Sequence, residues 1–134
     1  MEKENVREIV AEFIEEIWNG GRFERIDEFV DSCLVDHTLA PSFGSGREGL
    51  VDWIRETGTS FEHETTIEEQ VCEKDISMVR LTMRMKHIGT WRGIEPAGRE
   101  VSAKGYRCFR VRDGRIVEAW GLIDGAALEK GLRG

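Results

Sequence analysis

Glu118, Trp120, Leu122 and Asp124 recur at every second position of the segment 116–124, so in an extended strand they share one face. Two carboxylates beside Trp and Leu make an unusual face. If it lines a dry pocket, desolvation lifts a carboxyl pKa toward neutrality. A carboxylate poised near pH 7 is suited to take a proton from a carbon or oxygen and return it. Asp124, which closes the segment, is the leading candidate for that acid/base role. The competing arrangement has this face in solvent or at an interface, with Asp124 capping the last helix.

Two imidazoles are placed to assist. His87 follows Val79, Leu81, Met83 and Met85 in alternation and so faces their way. His37 flanks the apolar Leu34, Val35 and Leu39. Either can donate to a substrate carbonyl, and either serves equally as a satisfied structural histidine. Met78, Met83, Met85 and the four tryptophans, Trp18, Trp53, Trp91 and Trp120, fit a plain core. At a pocket wall, though, Met adapts to irregular ligands and Trp offers a flat face. Hydrolysis by a carboxylate-activated water would need a second acid or an Arg near Asp124, for which Glu118 and Arg107 are the candidates.

Other motifs carry less. Gly44-Ser45-Gly46-Arg47-Glu48-Gly49 fits G-x-G-x-x-G ahead of a helix. A dinucleotide site needs a preceding strand and a βαβ unit, whereas a loop with a Ser45–Glu48 capping box accounts for these glycines. Cys33-x-x-x-His37 is half a metal site at most. Further ligands would have to come from His63, His87, Cys72 or Cys108, at no recurring zinc spacing. Neither G-x-S-x-G nor a Ser-His-Asp or Cys-His order stands out. These motifs lead to no expected metal site and no expected dinucleotide site.

The elements that must position these residues read clearly. Val6, Ile9, Val10, Phe13, Ile14, Ile17 and Trp18 draw one apolar stripe on a helix. Asn5 can cap it and Asn19-Gly20-Gly21 stops it. Phe23, Ile26 and Phe29 mark a short second helix, and residues 35–39 a short strand. A third helix opens at Ser45 and ends at Thr57-Gly58. From about residue 63 the period becomes two. Residues 65–72 and the strand carrying Val79 to His87 form a hairpin turned near Glu73-Lys74-Asp75. Residues 101–111 and 115–123 form another, turned by Asp113-Gly114. Residues 125–134 read as a short helix or tail. Helices first and strands after them mean α+β, with helices on one face of a curved sheet and a pocket between.

Composition bounds the function. The 134 residues suit one domain, 1–134, and 40% hydrophobic with 34% charged residues is globular composition. No apolar run approaches the ~20 residues of a membrane span. A net charge of −7, with basic residues scattered among acids, argues against nucleic acid and against anionic membranes. An N-terminus without an apolar h-region and three cysteines, an odd count, point to reduced thiols in the cytoplasm.

The segment from His87 to Arg99, His-Ile-Gly-Thr-Trp-Arg-Gly-Ile-Glu-Pro-Ala-Gly-Arg, resembles the H-x-G-x-[FW]-x-G-x-x-P-x-G-[KR] stretch of the SnoaL-like polyketide cyclases, within the NTF2-like superfamily. Arg110 to Trp120 followed by Asp124 resembles that family's R-x-x-[DN]-G-[KR]-I-x-E-x-W-x-x-x-D ending. Val35-Asp36-His37 resembles its D-H or V-x-H element, and Gly46-x-x-Gly49 its helix start. The landmarks keep order and spacing from Asn5 to Asp124. Ala97 stands where the family usually has Thr, and the usual Q-L-G tail is absent.

The resemblance implies an NTF2-like cone of curved antiparallel sheet with N-terminal helices enclosing a pocket, and a homodimer. It also implies a cofactor-free reaction on a small hydrophobic carbonyl compound, with Asp124 as general acid/base. His87 and His37 map onto pocket imidazoles of the family, and His87 would steady the enolate oxygen. Trp53, Trp91, Trp120, Met85, His37 and Glu118 are the expected substrate contacts. Because one scaffold serves many reactions, a non-catalytic binding or dimerisation module remains the other expectation.

Overall fold

The computed structural model describes residues 5–134. Helix α1, Val6–Phe13, starts where Asn5 accepts hydrogen bonds from the backbone of Arg7 and Glu8, so the cap expected from sequence is formed. The helix continues as a π-helical turn, Ile14–Asn19. The expected stripe is buried along both stretches, from Ile9 to Trp18. A 3-10 turn, Phe23–Arg25, and a single helical turn α2, Ile26–Phe29, lead into strand β1, Val30–Asp36.

Helix α3, Arg47–Ser60, departs from expectation at both ends. Gly46 is its N-cap and no side chain caps it, so the Ser45–Glu48 box does not form. It also runs through Gly58. Thr57 and Thr59 hydroxyls donate to the carbonyls of Trp53 and Glu56, which satisfies acceptors that a fraying end would expose.

Four long strands follow: β2 Phe61–Glu73, β3 Ile76–His87, β4 Glu100–Arg112 and β5 Arg115–Ile123. The two hairpins turn at the expected residues, with Lys74, Asp113 and Gly114 at positive φ. The order β1-β5-β4-β3-β2 makes one five-stranded sheet. β1 spans 30–36 rather than 35–39, and it pairs parallel to β5, so that edge is not antiparallel. Register shifts at Ile67/Glu69 and Arg110/Val111 bend the sheet. At Gly105 a Cβ would lie 2.4 Å from the Leu122 carbonyl, so only glycine admits so close an approach of β5.

The core fills the concave side. Val79, Leu81, Met83 and Met85 of β3, with Phe109 of β4 and Ala119 of β5, face inward and are buried. Phe13 of α1 sets its ring edge against Phe109 at 5.8 Å. The last helix, α4, Gly125–Arg133, buries Leu128 and Leu132. No helix among the described residues is long and apolar enough to cross a membrane.

Candidate active site

The inner face of the sheet and the helices above it leave a hollow of about 180 Å³. Its walls are Trp18 from the π-helical turn, Trp53 from α3, Phe61, Met83, Met85, Trp91, Arg107 and Ile123. Trp18 and Trp53 meet edge to face at 5.1 Å, and Phe61 and Trp91 do so at 5.7 Å. Such perpendicular pairs hold flat walls at fixed angles. The floor comes from the alternation of β4 and β5, which turns Ala103, Gly105, Arg107, Ala119, Gly121 and Ile123 inward.

Two cations, Arg107 and Arg92, border this apolar space, Arg92 lying over Trp91 with its guanidinium carbon 4.4 Å from the ring centre. A buried carboxylate, Asp36, stands outside the lining but acts on Arg107. The Arg107 guanidinium is 7% exposed and lies against Trp18 and Trp53, its carbon 4.6 and 5.1 Å from the two ring centres. Burial pulls its pKa down to about 10, which still leaves it charged at neutral pH, and the negative charge of Asp36 opposes the shift. Asp36 closes β1 and is also buried. Its Oδ1 accepts from both the backbone and the hydroxyl of Thr38, each at 3.0 Å. The Thr38 hydroxyl accepts in turn from the Gly121 N–H at 2.9 Å, fastening the end of β1 to β5. A further group, His63 of β2, stands edge-on to Trp18 at 6.0 Å with Nδ1 unpartnered, and desolvation lowers its pKa.

The expected site residues divide between two faces. Trp53, Trp91 and Met85 meet in the hollow. His87 is inward and buried at the end of β3, stacked on Phe61 at 5.4 Å with Nε2 unpartnered, one residue back from the lining. Glu118, Trp120 and His37 lie on the opposite, outer side. There His37 Nε2 is 2.9 Å from Glu118 Oε2 and its ring stacks on Trp120 at 4.9 Å. Bonds from His37 and Arg110 hold the Glu118 pKa below the usual carboxylate range.

The expectation that Asp124 lines the pocket is corrected. Asp124 is exposed, and its Oδ1 accepts from the Ala127 N–H as the N-cap of α4. The parity of β5 is the reason. Ala119 is buried, Ile123 lines the hollow and Leu122 is 74% exposed, so beyond the register shift near Ile116 the face shared by Glu118, Trp120, Leu122 and Asp124 is the outer one.

Sequence reasoning passed over Phe61 and Asp36, took Trp18 only as one of the four tryptophans, and treated Arg107 only as a neighbour for Asp124. A signal for Arg107 was present: it falls in register with Ala103, Gly105, Phe109 and Val111, an otherwise apolar or glycine row. Asp36 follows Val30 and Leu34 on the same parity of β1.

A curved five-stranded sheet with helices packed on its concave face defines an NTF2-like, SnoaL-type scaffold. The SnoaL-like polyketide cyclase family matches residues 8–132, and the chain belongs to that family. IdmH, a candidate polyketide cyclase from Streptomyces antibioticus, is similar at 26% identity and a TM-score of 0.88, covering 98% of this chain and all of that one. TsrD from Streptomyces laurentii shares the fold at 23% identity and a TM-score of 0.85, covering 98% of each chain. A candidate polyketide cyclase from Acidithiobacillus ferrooxidans does so at 20% identity and 0.82, covering 99% of this chain and 98% of that one. No curated protein sequence is significantly similar to the chain.

Proposed function

We propose that the hollow is the active site of a cofactor-independent enzyme of the cyclase/isomerase kind, acting on a small, largely apolar carbonyl compound. The observation that carries this reading is a ring-lined hollow of about 180 Å³ bordered by Arg107, with the buried carboxylate of Asp36 near enough for its charge to act on that guanidinium. Cavities on the order of 150 Å³ accept a single aromatic ring. Asp36 takes the acid/base role first expected of Asp124. Both hydrogen bonds to its carboxylate fall on Oδ1, so Oδ2 keeps its lone pairs for a proton. It removes a proton alpha to the carbonyl and returns it to carbon in an isomerisation, or, in an aldol closure, to the alkoxide oxygen left when the enolate carbon bonds the second carbonyl.

Exchange of the α-protons of 2-tetralone in D2O, followed by NMR, tests this without knowledge of the natural substrate. A positioned base is worth about 10²–10⁴-fold. The protein should accelerate exchange over buffer, and Asp36→Asn should remove that acceleration. Retained exchange in Asp36→Asn would refute the assignment. A non-catalytic binding module is the second reading, favoured by an inner face of β5 that carries no carboxylate. Saturable quenching of tryptophan fluorescence with no exchange would select it.

The same reading takes the protein as a homodimer in the cytoplasm. Val71, Met78, Tyr106 and Leu122 are exposed on the outer sheet face, and the free thiols Cys33, Cys72 and Cys108 suit a reducing compartment.

A further inference from the structure

Arg107 is built into the hollow more elaborately than a structural cation requires. A charged group is buried in proteins when it is paired and hydrogen-bonded. Here Nη2 is fully buried and has no hydrogen-bond partner. The cation–π contacts with Trp18 and Trp53 favour the positive charge without using up N–H donors. Room for the group comes from β5. A Cβ on Gly121 would lie 2.9 Å from Arg107 Nη1 and 3.5 Å from its Cγ, so the glycine leaves the guanidinium its place against the sheet. That glycine is tied through Thr38 to Asp36, whose charge acts on Arg107 from a distance. The result is a fixed cation, shielded from water, between aromatic walls, with an unused donor.

We propose that Arg107 makes the hollow an organic-anion site, selecting a flat apolar guest that presents one delocalised anionic oxygen group to the guanidinium where it borders the hollow. The fork of a guanidinium matches a carboxylate, and a single N–H matches the oxygen of an acidic enol or phenol. In either case the guest supplies the acceptor that the protein withholds. This inference rests on the reading of the hollow as a small-molecule site, and it specifies the charge of what enters.

Four ring-sized probes separate the two readings: benzoate against neutral benzamide, and 4-nitrophenolate against neutral nitrobenzene. Binding to the full chain is measured at pH 8 by tryptophan fluorescence and calorimetry. At least one anion should bind tenfold or more tightly than its neutral isostere. Preference within the first pair alone identifies a carboxylate guest, and within the second an enol or phenol. Arg107→Gln should lower affinity for the preferred anion at least tenfold and leave the neutral partner within about twofold. Bound 4-nitrophenol should also ionise at lower pH than the free compound, seen in its visible absorbance. That measurement and the isostere comparison need no Arg107 variant. Because Arg92 also borders the hollow, Arg92→Gln should keep the anion preference, and its loss there would overturn the assignment to Arg107 should Arg107→Gln not fold. Neutral probes binding as well as the anions would overturn the Arg107 proposal and leave the small-molecule site standing. Binding of none of the four would overturn both.

Discussion

His63 stands half-buried at the edge of Trp18 with Nδ1 unpartnered, and desolvation holds its pKa below the ordinary histidine value. The unfolded chain therefore binds a proton at pH values where the folded chain does not. Stability from this site is complete above the unfolded pKa of about 6.5 and is lost as pH falls from there through the lower folded value. Glu118, also lowered, gives up its contribution only further down, as pH falls below the usual carboxylate range. The thermal midpoint should thus fall between pH 7.5 and 5, and His63→Gln should flatten that fall. An unchanged slope in the variant would show that the imidazole is solvated. His63 was legible in the sequence only as a candidate further ligand for the Cys33/His37 half-site. Trp53, Trp91 and Met85 were legible as wall residues because flat or adaptable apolar groups suit either a core or a pocket, and here they line one. Arg107 and Asp36 were not, because a charged residue on an inward row reads as a break in the pattern rather than as its purpose.

Elements were easier to read than their orientation. Periods of 3.6 and 2, the Asn5 cap and the Asp113-Gly114 turn are local features, and each was realised where the residues placed it. Which face of β5 turns inward is not local. Ala119, Gly121 and Ile123 alternate with Trp120 and Leu122, so both faces are apolar enough to be buried. The choice is made by contacts with β4 and the helices, and a one-residue change of parity exchanges every side chain. Asp124 therefore belongs to α4 rather than to the hollow. As N-cap it satisfies the Ala127 N–H, and the helix it starts buries Leu128 and Leu132. Asn caps as well as Asp does, whereas Ala does not. Asp124→Ala should cost about 1 kcal/mol of stability in urea unfolding. Asp124→Asn should cost little, and it should exchange the α-protons of 2-tetralone at the wild-type rate. A large loss of exchange in Asp124→Asn with full stability would return that carboxylate to the reaction.

At the scale of the whole molecule, the convex side of the sheet is left without a cover among the described residues. Register puts Val71, Met78, Cys108 and Trp120 side by side across β2, β3, β4 and β5, with Tyr106 and Leu122 paired in the adjoining row. Leu122 is 74% and Val71 68% exposed. Single exposed apolar residues are ordinary, but a continuous apolar face rimmed by polar groups marks an interaction surface. The rim is of mixed sign, with Arg80 bonded to Glu69 and Arg110 bonded to Asp75 and Glu118. A face carrying both charges can meet its own copy about a two-fold axis without net repulsion, and two-fold dimers are the commonest oligomers. Sedimentation should therefore find a dimer at micromolar concentration. Leu122→Glu would set two like charges near that axis in water-poor surroundings and should shift the population to monomer. Its side chain is far from the hollow, so proton exchange per chain should change little. A wild-type monomer under these conditions would leave the convex face to some other partner, and exchange lost together with dimerisation would mean that the second copy helps hold the hollow in shape.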